Sequence, residues 1–557
     1  MLSGGVRAWV SLRTGLVLAA IVLGALLLRL PGFAQSLWYD ELWATRVMLA
    51  GLPDLIEHCV ADTSPPLYYL LMFGWIRLFG DSEVSVRIPS LVLGLLSVAL
   101  TFVLARRWLS EAAALLSAFL LAVNPVHIWY SREARPYSAA VFCVLAAILA
   151  FYRVQETARP RAWLAAYAAA LCSAVFLHFY LVGYLGALSL LCLIRPAKNR
   201  RQILLVNGLV AAPMALFLGA RLALGTSFTS LPYLRRFNLL EFWGLLLHWF
   251  PTGNAIVRLR PASTGFGGLA ARPLPLAMNL LALAALTAGL VHLFRLARRE
   301  RFPDPALFLL TIPGGLLLLN AAGFTQTYIE RSALTALPFF LILVSAGVWS
   351  AANARLRWVS LAVCVVFVVV VLLNYYRKPD QWTVYKPNPD WKSASRYFSA
   401  ELAASSGFVP VFVGVPSAEL TYYDPRFVEE RELWLQDYRK RQFNTPPPGP
   451  FSGLKLRLRQ FFWAMYPEVR RPRPGGIIYD VGGRDPEAVR ALVLGGLSRD
   501  FYMVRNLFWP GSEDALRAGL ERDPRFRLAG RYEAKNLRVF RYSLESEPAP
   551  VRITPPE

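Results

Sequence analysis

The sequence has few cysteines and few charged residues. Only five cysteines are present in 557 residues, and four of them lie inside apolar runs. This distribution gives neither a disulfide framework nor the close spacing of a metal site. Charged residues make up 17% of the chain, whereas 56% of its residues are hydrophobic. Soluble domains have about 25% charged residues, so the composition predicts a membrane protein that is long enough to carry a second, soluble domain.

Acidic residues are outnumbered by basic ones. The chain has 36 Asp and Glu against 59 Lys and Arg, which gives a formal net charge of +23. Much of this excess lies in short basic clusters between apolar runs, a pattern typical of the topology signals of membrane proteins. We therefore expect membrane lipid as a partner and no nucleic acid, with some basic residues left to bind an anionic ligand.

Apolar runs of spanning length recur from about residue 14 to about 374. Basic residues precede the first run and recur in every second loop, which places the N-terminus in the cytoplasm. The first run is predicted to be an uncleaved anchor, and an odd number of spans puts the C-terminal segment outside the cytoplasm. About eleven spans are predicted, at roughly 14–31, 86–105, 110–127, 137–152, 162–177, 179–194, 203–220, 273–294, 305–322, 333–351 and 357–374.

The composition changes near residue 375, so we predict two domains. Residues 1–375 form the transmembrane domain, with a long first outer loop at 35–84, and residues 376–557 form an extracytoplasmic α/β domain. The second domain carries no Gly-rich phosphate loop, nucleophile elbow or metal motif. Acceptor recognition, covering of the active-site cavity and structural support all remain open as its role. Its predicted elements are strands at 408–415 and 476–480, helices at 486–494 and 514–522, and an antiparallel hairpin at 526–542.

Asp40 and Glu41 stand side by side just after the first apolar run, between aromatic residues. Two carboxylates at a membrane boundary cost desolvation energy unless they bind something useful. The pair therefore predicts a working site. The alternative is that Asp40 caps a helix beginning at Glu41, which would explain only one of the two carboxylates.

Other polar residues fall in the outer loops of the predicted topology. Asp62 precedes the double proline, where it is either a turn residue or a substrate contact. Glu133 lies between two arginines, and a structural salt bridge and a ligand role are equally open for it. Arg87 and Arg331 lie at the outer ends of predicted spans. Each either binds phosphate or pairs with the acids, or it only extends its charged end to the membrane surface. Tyr328 adds a hydroxyl donor nearby.

Carboxylates facing arginines at the outer leaflet suit the transfer of a sugar from a lipid-linked sugar phosphate. The arginines would hold the phosphate while a carboxylate deprotonates an incoming hydroxyl. No cofactor is certain, and Glu41 and His58 are the weak candidate ligands if a divalent metal ion takes part. The rival hypotheses are a non-catalytic scaffold and a secondary transporter with carboxylate ion or substrate sites. A transporter predicts acids near mid-span and internal repeats, and the sequence shows neither.

Several segments together resemble one known family. The acidic pair, the run Asp-Thr-Ser-Pro-Pro-Leu-Tyr-Tyr-Leu-Leu at 62–71, the run at 85–90 and the run at 124–137 are similar to the bacterial branch of the dolichyl-phosphate-mannose protein mannosyltransferase family. This superfamily has the GT-C fold and includes the lipid A aminoarabinose transferases. The resemblance covers about residues 15–375. The Trp-Trp-Asp signature of the oligosaccharide-to-asparagine transferases, which share the fold, is absent.

The resemblance implies an inverting glycosyltransferase of the bacterial inner membrane that uses a polyprenyl-phosphate-linked sugar and a protein, lipid or glycan acceptor. Asp40 would be the catalytic base and Glu41 its partner. Relatives usually carry His or Lys where this chain has Ser64, so Arg87 or Arg331 is expected to carry more of the phosphate contact. Donor-phosphate contact or pairing within the active site is predicted for Arg87, Arg135, Arg331 and Tyr328. Acceptor contact, directly or through a neighbour, is predicted for Asp62, Pro65, Pro66, Tyr68, Glu133 and Tyr137.

Overall fold

Contacts between residues divide the chain into two compact units. A computed structural model describes residues 11–50, 52, 55, 59, 65–195, 197–223, 236–256, 272–296, 304–321, 328–351, 353–377, 389–404, 409–413, 418–424, 426–429, 476–480, 486–495, 500–506, 513–534 and 536–545. The first unit, the membrane unit, comprises Met1–Phe33 and Leu55–Lys386. The second, the C-terminal unit, comprises Ala34–Asp54 and Pro387–Glu557. The acidic pair therefore makes most of its contacts with the C-terminal unit.

The described part of the membrane unit is helical. Its helices are α1 (Leu12–Arg29), α3 (Leu67–Phe79), α4 (Glu83–Ala105), α5 (Glu111–Val123), α6 (Pro125–Tyr130), α7 (Tyr137–Glu156), α8 (Arg161–Leu177), α9 (Val182–Ile194), α10 (Arg200–Ala223), α11 (Leu239–Gly244), α12 (Phe250–Thr252), α13 (Pro273–Leu296), α14 (Asp304–Ala321), α15 (Leu337–Trp349) and α16 (Ala354–Arg377). Short 3₁₀ helices at Phe179–Leu181 and Glu330–Ala336 precede α9 and α15, and a π-helical turn at Leu245–Trp249 follows α11.

Every predicted span coincides with a helix of the membrane unit. Among the described residues, eight helices are long and apolar enough to cross a bilayer, the last of them α16. The predicted spans at 110–127, 162–177 and 179–194 correspond to shorter apolar helices of 10–17 residues. The structure therefore confirms a helical polytopic membrane protein, and the number of eleven spans stays a prediction.

Helices α13 and α15 pack backbone against backbone. A Cβ atom added at Gly289 would lie 1.9 Å from the carbonyl oxygen of Leu343, and one added at Gly347 would lie 1.9 Å from the carbonyl oxygen of Ala285. Small residues permit such close approach of membrane helices, which gain dispersion energy from the contact. The crossing therefore requires glycine at both positions.

Gly289→Ala is expected to lower the thermal stability of the protein, by about 1–3 kcal/mol for overpacking. The added methyl group would clash with main-chain atoms of α15. Because these atoms cannot rotate away as a side chain can, the clash is relieved only if the two helices move apart. Thermal unfolding in detergent measures the effect. Gly315→Ala is the matched control, because a Cβ atom there has no neighbour within 4 Å among the described residues. Equal melting temperatures for the two variants would contradict the prediction.

A buried arginine ties the end of α1 to the segment around α6. The Arg29 guanidinium donates to the carbonyl oxygens of Ala25 (2.7 Å) and Ala122 (3.0 Å), and its second terminal nitrogen lies 2.8 Å from His127 Nδ1. Burial, and then the charge of Arg29, hold the pKa of His127 well below its ordinary value. His127 is therefore a neutral imidazole that accepts this hydrogen bond.

The C-terminal unit is an α/β domain built around a six-stranded mixed sheet. Four of its strands, β2, β3, β1 and β4, pair in parallel, and β6 and β5 extend the sheet through antiparallel pairs. The strand order is β2-β3-β1-β4-β6-β5. Its elements are α2 (Tyr39–Ala50), α17 (Trp391–Ala404), β1 (Val409–Val413), α18 (Ala418–Tyr423), β2 (Phe427–Glu429), β3 (Gly476–Asp480), α19 (Pro486–Gly495), β4 (Asp500–Asn506), α20 (Glu513–Arg522), β5 (Phe526–Ala534) and β6 (Leu537–Leu544).

Asp424 follows α18 as a buried carboxylate. Arg426 donates to it through Nε (2.9 Å) and a terminal nitrogen (2.7 Å), and Ser399 Oγ donates at 2.8 Å. Burial by itself raises the pKa of Asp424, but these hydrogen bonds outweigh burial and lower the pKa below its ordinary value of 3.8. Its contribution to stability is therefore complete above the unfolded-state pKa and is lost as the pH falls through that value toward the lower folded-state pKa.

Thermal unfolding of the full-length protein in detergent between pH 7 and pH 3 tests this linkage. The melting temperature is expected to fall toward acid less steeply in Asp424→Asn than in the wild type, because the variant carries no carboxylate to protonate at this position. Identical pH dependences in the two proteins would contradict the assignment.

Candidate active site

The acidic pair lies in the first turn of α2. The backbone N–H of Trp38 donates to the Glu41 carboxylate (3.2 Å), and Thr45 Oγ1 donates to the Glu41 carbonyl oxygen (2.8 Å). A Glu at this helical position that reaches back to the capping residue forms half of a capping box. The helix thus begins at Tyr39 rather than at Glu41, and the capping carboxylate is Glu41, not Asp40.

The two carboxylates also differ in burial. Glu41 is only 1% exposed, whereas Asp40 is partly exposed. Asp40 is therefore the member of the pair that solvent or a substrate can reach, while Glu41 holds the helix start.

Arg87 fixes the main chain just before the acidic segment. Its guanidinium is 2% exposed and donates to the carbonyl oxygen of Phe33 at 2.7 Å. Phe33 is the last residue of the membrane unit before the chain continues into 34–54. Arg87 therefore positions the start of the acidic segment through the backbone.

The double proline begins α3. Pro65 is buried, Pro66 occupies the position before the first helical residue, and Tyr68 is buried in the first turn. Proline fits a helix start because its backbone conformation is already helical and it has no N–H to satisfy. Asp62 and His58 lie outside the described residues, so their predicted roles stay predictions.

A short loop between α6 and α7 presents Glu133 and Arg135. The carbonyl oxygen of Glu133 accepts from the backbone N–H of Arg135 (2.8 Å), and Ser90 Oγ donates to the carbonyl oxygen of Arg135 (3.3 Å). On the neighbouring helix, a Cβ atom at Gly94 would lie 2.4 Å from Ser131 Oγ. Glycine at this position is what allows the loop to approach α4.

Two arginines, a histidine and a tyrosine meet at one end of the membrane unit. The Arg331 guanidinium carbon lies 5.7 Å from the centre of the Tyr137 ring, within cation–π range. The same ring lies 6.4 Å from the imidazole of His178. Arg135 and Arg331 both act electrostatically on that imidazole. We call Arg135, Tyr137, His178 and Arg331 the arginine–histidine cluster.

The cluster changes the proton affinity of its members. Burial, then Arg331 and then Arg135 lower the pKa of His178 to about 4. Beside it, burial and the negative charge of Glu133 raise the pKa of Tyr130 well above its ordinary value, against the opposing effect of Arg331. At neutral pH the cluster therefore holds two positive guanidinium groups next to a neutral imidazole, and the Tyr130 phenol beside the cluster is also neutral.

The structure thus brings together three of the predicted site residues, namely Arg135, Tyr137 and Arg331. Tyr328 is fully buried and packs against Phe237, with ring centres 4.5 Å apart. His178 is absent from the predicted set, although it interrupts two apolar runs in the sequence. A histidine at such a break was the signal that could have identified it.

Among the described residues, no group of three or more His, Cys, Asp or Glu side chains is arranged to hold a metal ion. Because His58 lies outside these residues, the proposed metal pair of Glu41 and His58 stays untested.

The membrane unit also contains an apolar cavity of about 350 Å³. It lies between α5, α13, α15 and α16, and small side chains of α13, among them Ala282 and Ala288, form one wall. Phe340 and Phe367 line the other walls. Its lining is suited to a hydrocarbon chain.

Residues 63–220 match the family model described as dolichyl-phosphate-mannose-protein mannosyltransferase. Among solved structures, ArnT from Cupriavidus metallidurans in the apo state is similar, with a TM-score of 0.51 and 12% identity over 95% of this chain and 98% of that chain. The same protein bound to undecaprenyl phosphate gives a TM-score of 0.49 and 14% identity over the same shares. The Pmt1–Pmt2 complex of Saccharomyces cerevisiae gives a TM-score of 0.33 and 19% identity, over 46% of this chain and 38% of that chain. Comparison with curated protein sequences gives no match.

The matched segment includes the double proline, Arg87, the loop with Glu133 and Arg135, and His178. The similarity to ArnT extends over almost the whole chain and shows the fold. These findings confirm the predicted resemblance. The chain therefore has the GT-C fold of a polytopic membrane protein, and its residues 63–220 resemble the dolichyl-phosphate-mannose-protein mannosyltransferases.

Proposed function

We propose that the protein transfers a sugar from a polyprenyl-phosphate donor to an acceptor hydroxyl, with inversion, at the outer face of a bacterial cytoplasmic membrane. The observation that carries the proposal is the arginine–histidine cluster, in which Arg331 lies 5.7 Å from the Tyr137 ring, this ring lies 6.4 Å from the imidazole of His178, and both Arg331 and Arg135 act electrostatically on that imidazole. The name of the matched family, a mannosyltransferase that uses a lipid phosphate, supports the same donor class.

The donor phosphate is assigned to the arginine–histidine cluster. Guanidinium groups bind phosphate oxygens through short, charge-assisted hydrogen bonds. The donor is a phosphodiester with one negative charge, and its leaving phosphate gains a second as the sugar departs. Cations fixed in a partly dehydrated site stabilise this developing charge, which lowers the barrier to transfer. The polyprenyl chain is assigned to the apolar cavity between α5, α13, α15 and α16.

Asp40 is assigned as the general base. The acceptor oxygen attacks the anomeric carbon while its proton passes to the Asp40 carboxylate. The bond between the anomeric carbon and the phosphate oxygen breaks, and its electron pair leaves with the polyprenyl phosphate. This single displacement inverts the configuration at the anomeric carbon. Glu41 keeps Asp40 in place through the start of α2, and Arg87 orients the chain that enters it.

Lipid and glycan mass spectrometry of a strain lacking this protein tests the proposal. We expect a polyprenyl-phosphate-linked sugar to accumulate and one glycosylated product to disappear, and the wild-type gene to reverse both changes. Complementation with Asp40→Asn is expected to leave both changes in place. Lipid and glycan profiles that are identical with and without the protein would overturn the proposed donor class.

A further inference from the structure

His178 occupies the junction between α8 and the 3₁₀ helix at Phe179–Leu181. Its backbone is extended, with φ −157° and ψ 126°. Its N–H donates to the carbonyl oxygen of Ala174 (3.2 Å), and its carbonyl oxygen accepts from Leu181 (3.0 Å). Both the N–H and the carbonyl oxygen of His178 are therefore hydrogen-bonded. These two bonds fix the backbone and with it the direction of the Cα–Cβ bond.

The imidazole is held among aromatic rings. Its centre lies 6.4 Å from the ring of Tyr137 and 5.2 Å from the ring of Tyr180. These contacts limit its rotation. Its Nδ1 atom is buried, and no hydrogen-bond partner reaches it from any residue that the structure describes.

A buried polar atom without a partner is costly to keep, and natural proteins contain few of them. At His178 the cost falls on a ring that lies 6.4 Å from Tyr137, the ring over which Arg331 is placed, and that both Arg331 and Arg135 influence electrostatically. Both guanidinium groups are cations, so neither can accept a hydrogen bond from an imidazole N–H. An anion placed between Arg135 and Arg331 would supply the missing acceptor.

We infer that His178 is a third contact of the donor phosphate, its Nδ1–H donating to a phosphate oxygen held between Arg135 and Arg331. The inference rests on the proposed function and deepens it by naming a residue that recognises the phosphate. A neutral donor adds a directed hydrogen bond without a third positive charge. The two arginines already match the charge of the released polyprenyl phosphate, which is close to −2, so product release is not slowed by excess attraction.

Binding of undecaprenyl phosphate to the full-length protein in lipid nanodiscs tests this contact. In His178→Leu the affinity is expected to fall about tenfold, the loss typical of a hydrogen bond to a charged group. His178→Asn keeps an amide N–H near the position of Nδ1 and is expected to restore most of the affinity. Tyr180→Phe, which alters the neighbouring ring but not the proposed donor, is the matched control and is expected to bind like the wild type.

Undecaprenol, which has the same chain and no phosphate, separates recognition from folding. If His178 contacts the phosphate, His178→Leu should weaken the binding of undecaprenyl phosphate but not the binding of undecaprenol. An equal loss of affinity for both lipids, or no loss for either, would overturn the inference. A second readout is the NMR titration of His178, whose pKa is expected to rise when undecaprenyl phosphate binds, because an anion favours the imidazolium form.

The two proposals fail in different ways. If the wild type does not distinguish undecaprenyl phosphate from undecaprenol, the proposed donor class is wrong. Suppose instead that the wild type prefers undecaprenyl phosphate and that Arg331→Ala reduces this preference. If His178→Leu then leaves the preference unchanged, only the role of His178 is wrong.

Discussion

Asp40→Asn is expected to slow sugar transfer by about 10²–10⁴-fold, the range over which a general base contributes to catalysis. The amide cannot take the proton of the acceptor hydroxyl, while its size matches that of the carboxylate. Because the capping contact of α2 comes from Glu41 rather than Asp40, the melting temperature should stay close to that of the wild type. Product formation by membranes that contain each variant, measured by mass spectrometry, gives the rate.

Glu41→Ala is the matched control for this experiment. It removes the carboxylate that accepts the N–H of Trp38 at the start of α2, and the loss of a capping side chain costs about 1 kcal/mol. We therefore expect Glu41→Ala to lower stability more than Asp40→Asn and to lower the rate less. Full activity in Asp40→Asn would exclude Asp40 as the base.

Arg331→Ala is expected to weaken donor binding by about 10–100-fold, because it removes a charged hydrogen-bond donor from the phosphate site. Acceptor affinity should change little. Titration of the rate with donor, at a saturating acceptor concentration, separates the two effects. Arg161→Ala removes an exposed arginine from a predicted inner loop and serves as the control.

Arg331→Ala should also change the pH dependence of donor binding. After burial, Arg331 contributes most to lowering the pKa of His178 to about 4. Without it, only Arg135 among the nearby cations continues to lower that pKa, which should therefore rise toward its ordinary value of 6.5. Tyr137 and Tyr180 are the rings beside the imidazole.

A protonated His178 would restore part of the lost charge, so donor affinity in Arg331→Ala should recover as the pH falls from 8 to 5. In the wild type Arg331 keeps the pKa of His178 lower, so the gain in affinity toward acid should be smaller and begin at a lower pH. A parallel pH dependence in the two proteins would contradict the assignment of Arg331 to this site.

The helices of the membrane unit could be predicted from the sequence because an apolar run of spanning length is a local property. In the C-terminal unit, the strand Gly476–Asp480 and the helices Pro486–Gly495 and Glu513–Arg522 were predicted to within a residue at each end.

Other elements of the C-terminal unit were missed. Strand β4 at Asp500–Asn506 pairs with β1 and β6, which lie far from it in the chain. The apolar part of β4 is short, and polar residues stand at both ends of the strand. Helix α17 at Trp391–Ala404 is absent from the predicted elements. Its buried Trp391, Phe398 and Leu402 follow a helical period, so the signal for this helix was present in the sequence.

By itself, the sequence determined that this is a helical membrane protein with a second α/β domain and an acidic pair after the first apolar run. Hydrophobic length, charge distribution and local motifs are enough for these conclusions. Only the tertiary structure decided that Glu41 rather than Asp40 caps its helix, and that Arg135, Tyr137, His178 and Arg331 share one cluster. Those four residues lie at the ends of separate elements, and which ends meet depends on the packing of helices distant in the chain.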